Sequence, residues 1–344
     1  MTSPSGRVPE HLHDISWWRE VLEVQVPGDA LLGARVLIDK GAPGKTSRIH
    51  HVALQWAQGT GPERLLVKDS RPPIGDLPVT PPPQWRVEGE FYRHCGGLTD
   101  AEGRPLIAMP RCWHAEWSAD GHAGLLVLDL LDAARSWRFP IGEREFHLAL
   151  PVIAALHAAT WDGRGGDSTW APDADLLFAS QLSIVWPLVR RGFDADSRAL
   201  FDDVIPGIPE VIDRVRGCVR CLAHGDLSPR NIIGDRSGDI RLIDFGTATH
   251  SIGALDVARL AAACPALAGD PAGHRRACDA WHSELIARGV LGYDRSQAWQ
   301  DYCDGLLLNA QYAALPGAVP AAEAHSLTRA IATCGHEGGR RAPS

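Results

Sequence analysis

The sequence has no excess of positive charge, no apolar run of membrane length and no leader-like start. Its 344 residues carry a formal net charge of −8. A general nucleic-acid binder is therefore excluded, because such proteins show a basic excess or a basic stripe. The longest apolar run, residues 146–160, contains Pro151 and is too short to span a bilayer. The first 14 residues lack the apolar core of a secretory signal, so we expect a cytoplasmic protein without membrane contacts.

A second pair of closely spaced cysteines is also missing. Cys218 and Cys221 form the one C-x-x-C pair among the eight cysteines, whereas a zinc ribbon needs two such pairs. In a cytosolic chain of this length we expect free, buried thiols. Disorder of the whole chain is excluded, because 45% hydrophobic residues supply enough apolar surface to offset the entropy lost on folding.

Lysine is scarce, with three lysines against 31 arginines. Lys68, in the run LLVKD, is the one lysine inside a strand-like pattern. A lysine buried in a sheet needs a carboxylate partner to offset its lost hydration. Glu88 and Glu90, on the predicted helix that follows, are the candidates. Lys45 belongs to a Gly-Lys-Thr triplet, but position 39 is aspartate where a P-loop needs glycine.

The hydrophobic pattern divides the chain into two parts, and we predict an α+β fold. Residues 1–131 contain five strand-like runs and one principal helix, VEGEFYRHC, which predicts an antiparallel sheet with a helix packed on it. An amphipathic helix with Asp14 as its N-cap precedes the sheet. Residues 132–344 are mainly helical, apart from short strands between 220 and 252. No internal repeat is present, and no protein partner is evident.

The strongest motif is HGDLSPRN, which ends at Asn231 and is followed by IDFG with Asp244 at its centre. Phosphoryl transfer needs a carboxylate beside the attacking hydroxyl, and it needs oxygen ligands that hold Mg²⁺ against the nucleotide phosphates. Asp226 fits the first role. Asn231 and Asp244 fit the second, because a hairpin brings them together.

HGDLSPRN followed by IDFG resembles the aminoglycoside phosphotransferase and choline kinase superfamily, over roughly residues 30–262. The runs VEGEFYRH, PRCWHAEW and LLVLDLLDA resemble most closely the branch of ecdysteroid-kinase-like proteins. The resemblance implies a two-lobed protein-kinase-like fold. Residues 1–131 would be the nucleotide-binding lobe, and residues 132–344 would be the catalytic and substrate-binding lobe.

The resemblance also assigns roles and cofactors. The expected cofactors are ATP, or GTP, and Mg²⁺. The implied roles are catalysis for Asp226, metal binding for Asn231 and Asp244, phosphate binding for Lys68 with Glu88 as its partner, and adenine contact through the backbone of Leu128, Asp129 and Leu130. Asp256 would anchor the catalytic loop, His224 would brace it, and the loop 41–48 would cover the phosphates.

Two positions depart from the pattern of these relatives. The hinge reads Leu128-Asp129, where many relatives have Glu-Asp. Arg230 precedes the metal-binding asparagine, where relatives often have glycine or tryptophan. Arg230 therefore belongs near the active site, within reach of phosphate or substrate.

The acceptor is expected to be a small hydroxylated molecule. Eleven residues separate Asp244 from Asp256, and no A-P-E motif follows, so a platform for a peptide substrate is missing. An antibiotic is the first choice of acceptor, since the arginine-to-lysine ratio indicates a GC-rich source in which antibiotic producers are common. A metabolic kinase for choline, a sugar or another alcohol is the alternative. A nucleotide-binding regulator without turnover stays open as a different class.

Overall fold

The structure is a computed structural model that describes residues 10–23, 31–40, 47–57, 61–70, 83–132, 135–164, 169–173, 181–234 and 238–334. Lys45 and most of the loop 41–48 lie outside the described residues. In the described part of the chain, no helix is long and apolar enough to cross a membrane.

A five-stranded antiparallel sheet forms the N-terminal part, in the order β1-β2-β3-β5-β4. The strands are β1 (Leu31–Lys40), β2 (Ser47–Trp56), β3 (Arg64–Ser70), β4 (Cys112–Trp117) and β5 (Gly124–Asp129). Lys68 on β3 lies opposite Ile49 of β2 and Leu126 of β5. The lysine therefore sits on a central strand, where both neighbours fix its direction.

Each face of the sheet is covered by one helix. Helix α1 (Ile15–Glu23) covers one face, where Trp18 packs in the same apolar cluster as Val67 and Val127. Its N-cap is Asp14, which accepts a hydrogen bond of 2.8 Å from the backbone of Ser16, as predicted. Because β5 is covered on both faces, all four residues of its run LLVL are buried.

Helix α2 (Gln84–Cys95) covers the opposite face. It contains Gly89, a poor helix former, and packing explains this choice. A Cβ atom at position 89 would lie 2.3 Å from the ring of Trp117 on β4. The glycine thus lets the helix approach the sheet closely enough for Glu88 to face β3.

The C-terminal part is helical. Its helices are α3 (Glu143–Ala159), α4 (Leu182–Val189), α5 (Ala195–Val204), α6 (Ile208–Arg216), α7 (Ala254–Ala262), α8 (Pro265–Ala268), α9 (Pro271–Ala287), α10 (Arg295–Leu308), α11 (Ala310–Ala314) and α12 (Ala321–Cys334). Two short antiparallel sheets interrupt them. One pairs β6 (Cys221–Ala223) with β9 (Thr249–Ser251), and the other is the hairpin of β7 (Ile232–Gly234) and β8 (Ile240–Leu242). Nearly the whole surface of α7 is buried, which makes it the central helix of this part.

Candidate active site

The loop that carries Asp226 is anchored by the buried carboxylate of a neighbouring helix. Asp256, at the start of α7, accepts hydrogen bonds from the backbone N–H groups of His224 (2.7 Å) and Gly225 (3.0 Å). His157 of α3 lies 3.1 Å from the same carboxylate through Nε2, and its Nδ1 accepts a bond from Trp281. The imidazole therefore carries its proton on Nε2 and donates it to Asp256.

Gly225 is required by the turn that follows β6. Its φ is +83°, and a Cβ atom there would lie 2.0 Å from the carbonyl oxygen of Thr247. Only glycine fits this conformation and this close approach. The next residue is Asp226, so the turn sets the direction in which the carboxylate leaves the loop.

Asn231 and Asp244 are tied to this loop by backbone and side-chain bonds. The amide nitrogen of Asn231 donates to the carbonyl of Asp226 at 2.8 Å. The backbone N–H of Ile243 donates to the carbonyl of Asn231 at 3.0 Å, and His224 Nε2 lies 2.8 Å from the Ile243 carbonyl. Asp244 has a φ of +67°, a left-handed conformation that turns its carboxylate out of the β7–β8 hairpin.

Lys68 connects the sheet to both α2 and the hairpin. Its Nζ donates to Glu88 Oε2 at 2.6 Å and to Asp244 Oδ1 at 2.6 Å. The ion pair expected with Glu88 is present, whereas Glu90 instead faces Arg93 and His94 on its own helix. Three segments far apart in sequence thus meet at one ammonium group.

The charges of this cluster are strongly coupled. Burial alone would lower the pKa of Lys68, but the neighbouring carboxylates of Asp244 and Glu88 outweigh burial and raise it. Burial raises the pKa of Glu88, against the opposing effect of Lys68. The positive charge of Lys68 lowers the pKa of Asp244, and the more distant Arg230 acts in the same direction. Asp244 is thereby held as an anion, although half of its side chain faces the cleft.

Phe245, next to Asp244, couples the hairpin to α2. Its ring stacks on Phe91 at a centroid distance of 3.8 Å and meets Tyr92 edge-on at 5.8 Å. His224 packs against Phe245 from the other side at 4.9 Å. A shift of α2 would therefore move Glu88 and the segment of Asp244 together.

The hinge residues lie where β5 ends. Leu128 is buried between Leu66 and Cys112 of the neighbouring strands. The carboxylate of Asp129 accepts hydrogen bonds from the Trp113 ring (2.7 Å) and from the backbone of Arg111 (3.3 Å). The Asp129 side chain is thus engaged within the sheet, and Leu130 follows directly after the last residue of β5. The adenine contact remains a prediction.

The donor set of Asn231 and Asp244 fits Mg²⁺. The bond from the Asn231 amide nitrogen orients its oxygen, and Lys68 occupies one of the two Asp244 oxygens. Mg²⁺ in nucleotide sites takes one or two protein ligands, with phosphate and water oxygens completing the octahedron. Among the described residues, no group of three or more His, Cys, Asp or Glu side chains could hold a metal ion. Metal binding by Asn231 and Asp244 stays a prediction.

The carboxylate of Asp226, the predicted catalytic residue, has cationic neighbours, one of which the sequence did not reveal. Arg230 Nη2 donates to Asp226 Oδ2 at 2.7 Å, and Arg259 Nη2 of α7 lies 3.5 Å from Asp226 Oδ1. Arg259 is fully buried, pairs with Glu323 of α12 and stacks on the ring of Tyr312. Arg259 lies one helical turn after Asp256, and this spacing is the feature of the sequence from which its place near the Asp226 loop could have been predicted.

Trp161, Trp186 and Asp194, in the helical part of the chain, have packing or capping roles. Trp161 is buried against Tyr293, and Trp186 is buried with its ring N–H bonded to Asp202. Asp194 is the N-cap of α5 and accepts a bond from Ser197. Six of the eight cysteines are buried.

A model of the phosphotransferase enzyme family matches residues 56–299, which is more than half of the chain. The chain belongs to this phosphotransferase family. The matched span includes Lys68, Glu88, the hinge and the catalytic loop up to Asp244. The sequence matches none of the curated proteins with which it was compared.

Two solved structures identify the fold of this phosphotransferase family member as kinase-like. One is a thermostable mutant of the aminoglycoside phosphotransferase APH(4)-Ia with ADP and hygromycin B, at a TM-score of 0.50 and 14% identity, covering 91% of this chain and 96% of that one. The other is choline kinase from Cryptosporidium parvum Iowa II, at a TM-score of 0.54 and 10% identity, covering 93% and 94%. The predicted α+β kinase-like fold and superfamily are confirmed. The ecdysteroid-kinase-like branch stays a prediction.

Proposed function

We propose that this protein is an ATP-dependent O-phosphotransferase that phosphorylates a hydroxyl group of a small molecule. The observation that carries the proposal is the position of Lys68, whose ammonium joins Glu88 and Asp244 beside the loop of Asp226. A cation, a metal-binding carboxylate and a second carboxylate for the acceptor are the groups that phosphoryl transfer needs. Residues 1–131 are assigned to nucleotide binding, and residues 132–344 to catalysis and acceptor binding.

The reaction breaks one bond and forms one. The acceptor oxygen attacks the γ-phosphorus of ATP, the bond from that phosphorus to the β,γ-bridging oxygen breaks, and ADP leaves with the bonding electrons. Asp226 orients the hydroxyl and takes its proton. Lys68 binds the α- and β-phosphates, and Glu88 fixes its direction. Bound Mg²⁺, with Asn231 and Asp244 as its protein ligands, supplies charge neutralisation at the phosphates.

We further propose that the acceptor is an antibiotic, so that the protein is a resistance or self-resistance kinase. The support is the superfamily resemblance together with 31 arginines against three lysines. The APH(4)-Ia structure contains hygromycin B, and the choline kinase fold is equally similar. A metabolic kinase for choline, a sugar or another small alcohol is therefore the other outcome that the test must separate.

The test is Mg²⁺- and ATP-dependent release of ADP with a panel of acceptors. The panel contains aminoglycoside, nucleoside, peptide and macrolide antibiotics, choline, ethanolamine and simple sugars, and Asp226→Asn serves as the blank. We expect turnover with one antibiotic and none in the blank. Turnover with choline or a sugar would identify the protein as a metabolic kinase instead. Nucleotide binding without turnover on any acceptor would favour a regulator, and equal turnover in Asp226→Asn would refute the assignment of Asp226.

A further inference from the structure

Arg230 has no part in the chemistry described so far, although it lies inside the catalytic loop. It occupies the middle of the 3₁₀ turn Pro229–Asn231, between the catalytic carboxylate and the metal-binding asparagine. Its backbone carbonyl accepts a bond from Ser136 at 3.3 Å. The side chain returns toward Asp226, and 43% of its surface is exposed.

Two arginines and two carboxylates form a compact network around Asp226. Arg230 Nη2 lies 2.7 Å from Asp226 Oδ2, and Arg230 Nη1 lies 3.7 Å from Glu323 Oε2. Arg259 approaches Asp226 Oδ1 at 3.5 Å and pairs with Glu323 at the back. Asp226 Oδ1 is buried and lacks a hydrogen bond. The acceptor hydroxyl must therefore use Oδ2, the oxygen that Arg230 now occupies.

This geometry places Arg230 beside the phosphoryl group in transfer. A hydroxyl bound to Oδ2 lies about 3 Å from it, and the reacting atoms are about 3–3.5 Å apart before attack. The phosphorus then lies within roughly 6–7 Å of Oδ2, with its oxygens nearer. The guanidinium of Arg230 already contacts Oδ2 through one of its N–H groups. Its other N–H groups can cover the distance from Oδ2 to the phosphoryl oxygens.

We propose that Arg230 is a catalytic residue that exchanges its bond to Asp226 Oδ2 for the equatorial oxygens of the transferred phosphoryl group. This inference rests on the proposed phosphotransfer. Exchange frees Oδ2 for the acceptor hydroxyl and brings a cation to the oxygens on which negative charge accumulates. Glu323 stays behind as the partner of Arg259, so the network keeps one carboxylate paired while Arg230 moves.

An anionic group on the acceptor is the competing ligand for Arg230. The observations favour the phosphoryl group, because Glu323 already faces Nη1 and would repel an acceptor anion on that side. The side of the Arg230 guanidinium that remains open to a ligand is the side that faces Asp226 Oδ2.

The test compares a ground-state ligand with an analogue of the transferred phosphoryl group, and it needs no acceptor. Binding of MgADP alone and of MgADP with aluminium fluoride is measured by calorimetry for the wild type and for Arg230→Ala, Arg230→Gln and Arg230→Lys. Arg230→Gln keeps a donor for Asp226 without the charge. Arg216→Ala, at a remote arginine of similar exposure paired with Asp213, is the matched control.

We expect Arg230→Ala and Arg230→Gln to bind MgADP as the wild type does, and to lose about 100-fold in affinity for the aluminium fluoride complex. Arg230→Lys is expected to recover part of this loss, and Arg216→Ala is expected to lose nothing. Equal binding of both ligands by all variants would overturn the proposal, as would an equal loss for both ligands. So would a wild type that gains no affinity from aluminium fluoride. A wild type that does not bind MgADP would refute the proposed function itself.

Discussion

Replacement of Asp256 tests how the catalytic loop is held, because three donors converge on one buried carboxylate. Oδ1 accepts from the backbone of Gly225, and Oδ2 accepts from the backbone of His224 and from His157 Nε2. Asp256→Ala leaves all three donors without a partner. Each buried donor left unpaired costs about 1–3 kcal/mol, so we expect a loss of roughly 3–9 kcal/mol in the free energy of unfolding.

Asp256→Asn separates charge from shape. Its amide oxygen can replace only one carboxylate oxygen, and its NH₂ group must then face one of the three donors. We therefore expect a loss of about 1–3 kcal/mol, between the wild type and Asp256→Ala. Asp279→Asn, at an acidic position on α9, is the control, and we expect it to stay within about 0.5 kcal/mol of the wild type.

The assay is urea denaturation followed by tryptophan fluorescence and circular dichroism, with coincident curves as the check of two-state behaviour. The midpoints should rank wild type, Asp256→Asn and Asp256→Ala in falling order at an unchanged slope. If Asp256→Asn unfolds within 0.5 kcal/mol of the wild type, the converging donors do not hold the loop and the reasoning fails.

Three further predictions concern charge, pH and packing. Lys68→Met should lower turnover by about 100-fold or more, measured as ADP release, while urea midpoints show the protein still folded; an unfolded variant would indicate a structural lysine. Burial raises the pKa of Asp301 from its ordinary value of 3.8 to about 6, so its contribution to stability is present below pH 4 and is lost as pH rises through 6. Relative to Asp301→Asn, the wild type should lose roughly 3 kcal/mol of unfolding free energy between pH 4 and pH 8, and a constant difference would contradict this. Gly89→Ala should destabilise by about 1–3 kcal/mol in the same urea assay, because the clash with Trp117 outweighs the helix preference for alanine, whereas Gly207→Ala, where a Cβ meets nothing within 4 Å, should not.

Local patterns allowed much of the fold and part of the site to be predicted. Strand-like apolar runs marked the five strands, and the Asp226 and Asp244 motifs have fixed spacing because a short hairpin joins them. The strand of Lys68 and the next helix left Glu88 and Glu90 as candidate partners, and the family resemblance favoured Glu88. These features depend on neighbours along the chain, which periodicity and spacing report directly.

The remaining contacts around Asp226 depend on packing between distant helices. Arg259 and Glu323 lie 64 positions apart in the sequence. Each is an ordinary charged residue of a helix in the sequence, and only the packing of α7 against α12 brings the two side chains together. Helical period alone cannot indicate which face of α12 approaches the catalytic loop. The unusual Arg230 was visible in the motif, but its bond to the catalytic carboxylate required the structure.

The pairing of Arg259 with Glu323 has a consequence for synthesis of the protein in the cell. The ribosome adds about 5–20 residues per second, and it makes α7 well before α12, the last of the described helices. For roughly 3–13 seconds the nascent chain therefore contains Arg259, which is buried in the folded protein, but does not yet contain its partner Glu323. Docking of α12 then pairs that charge in the interior, so the charge network around Asp226 is completed only after the last described helix has been made.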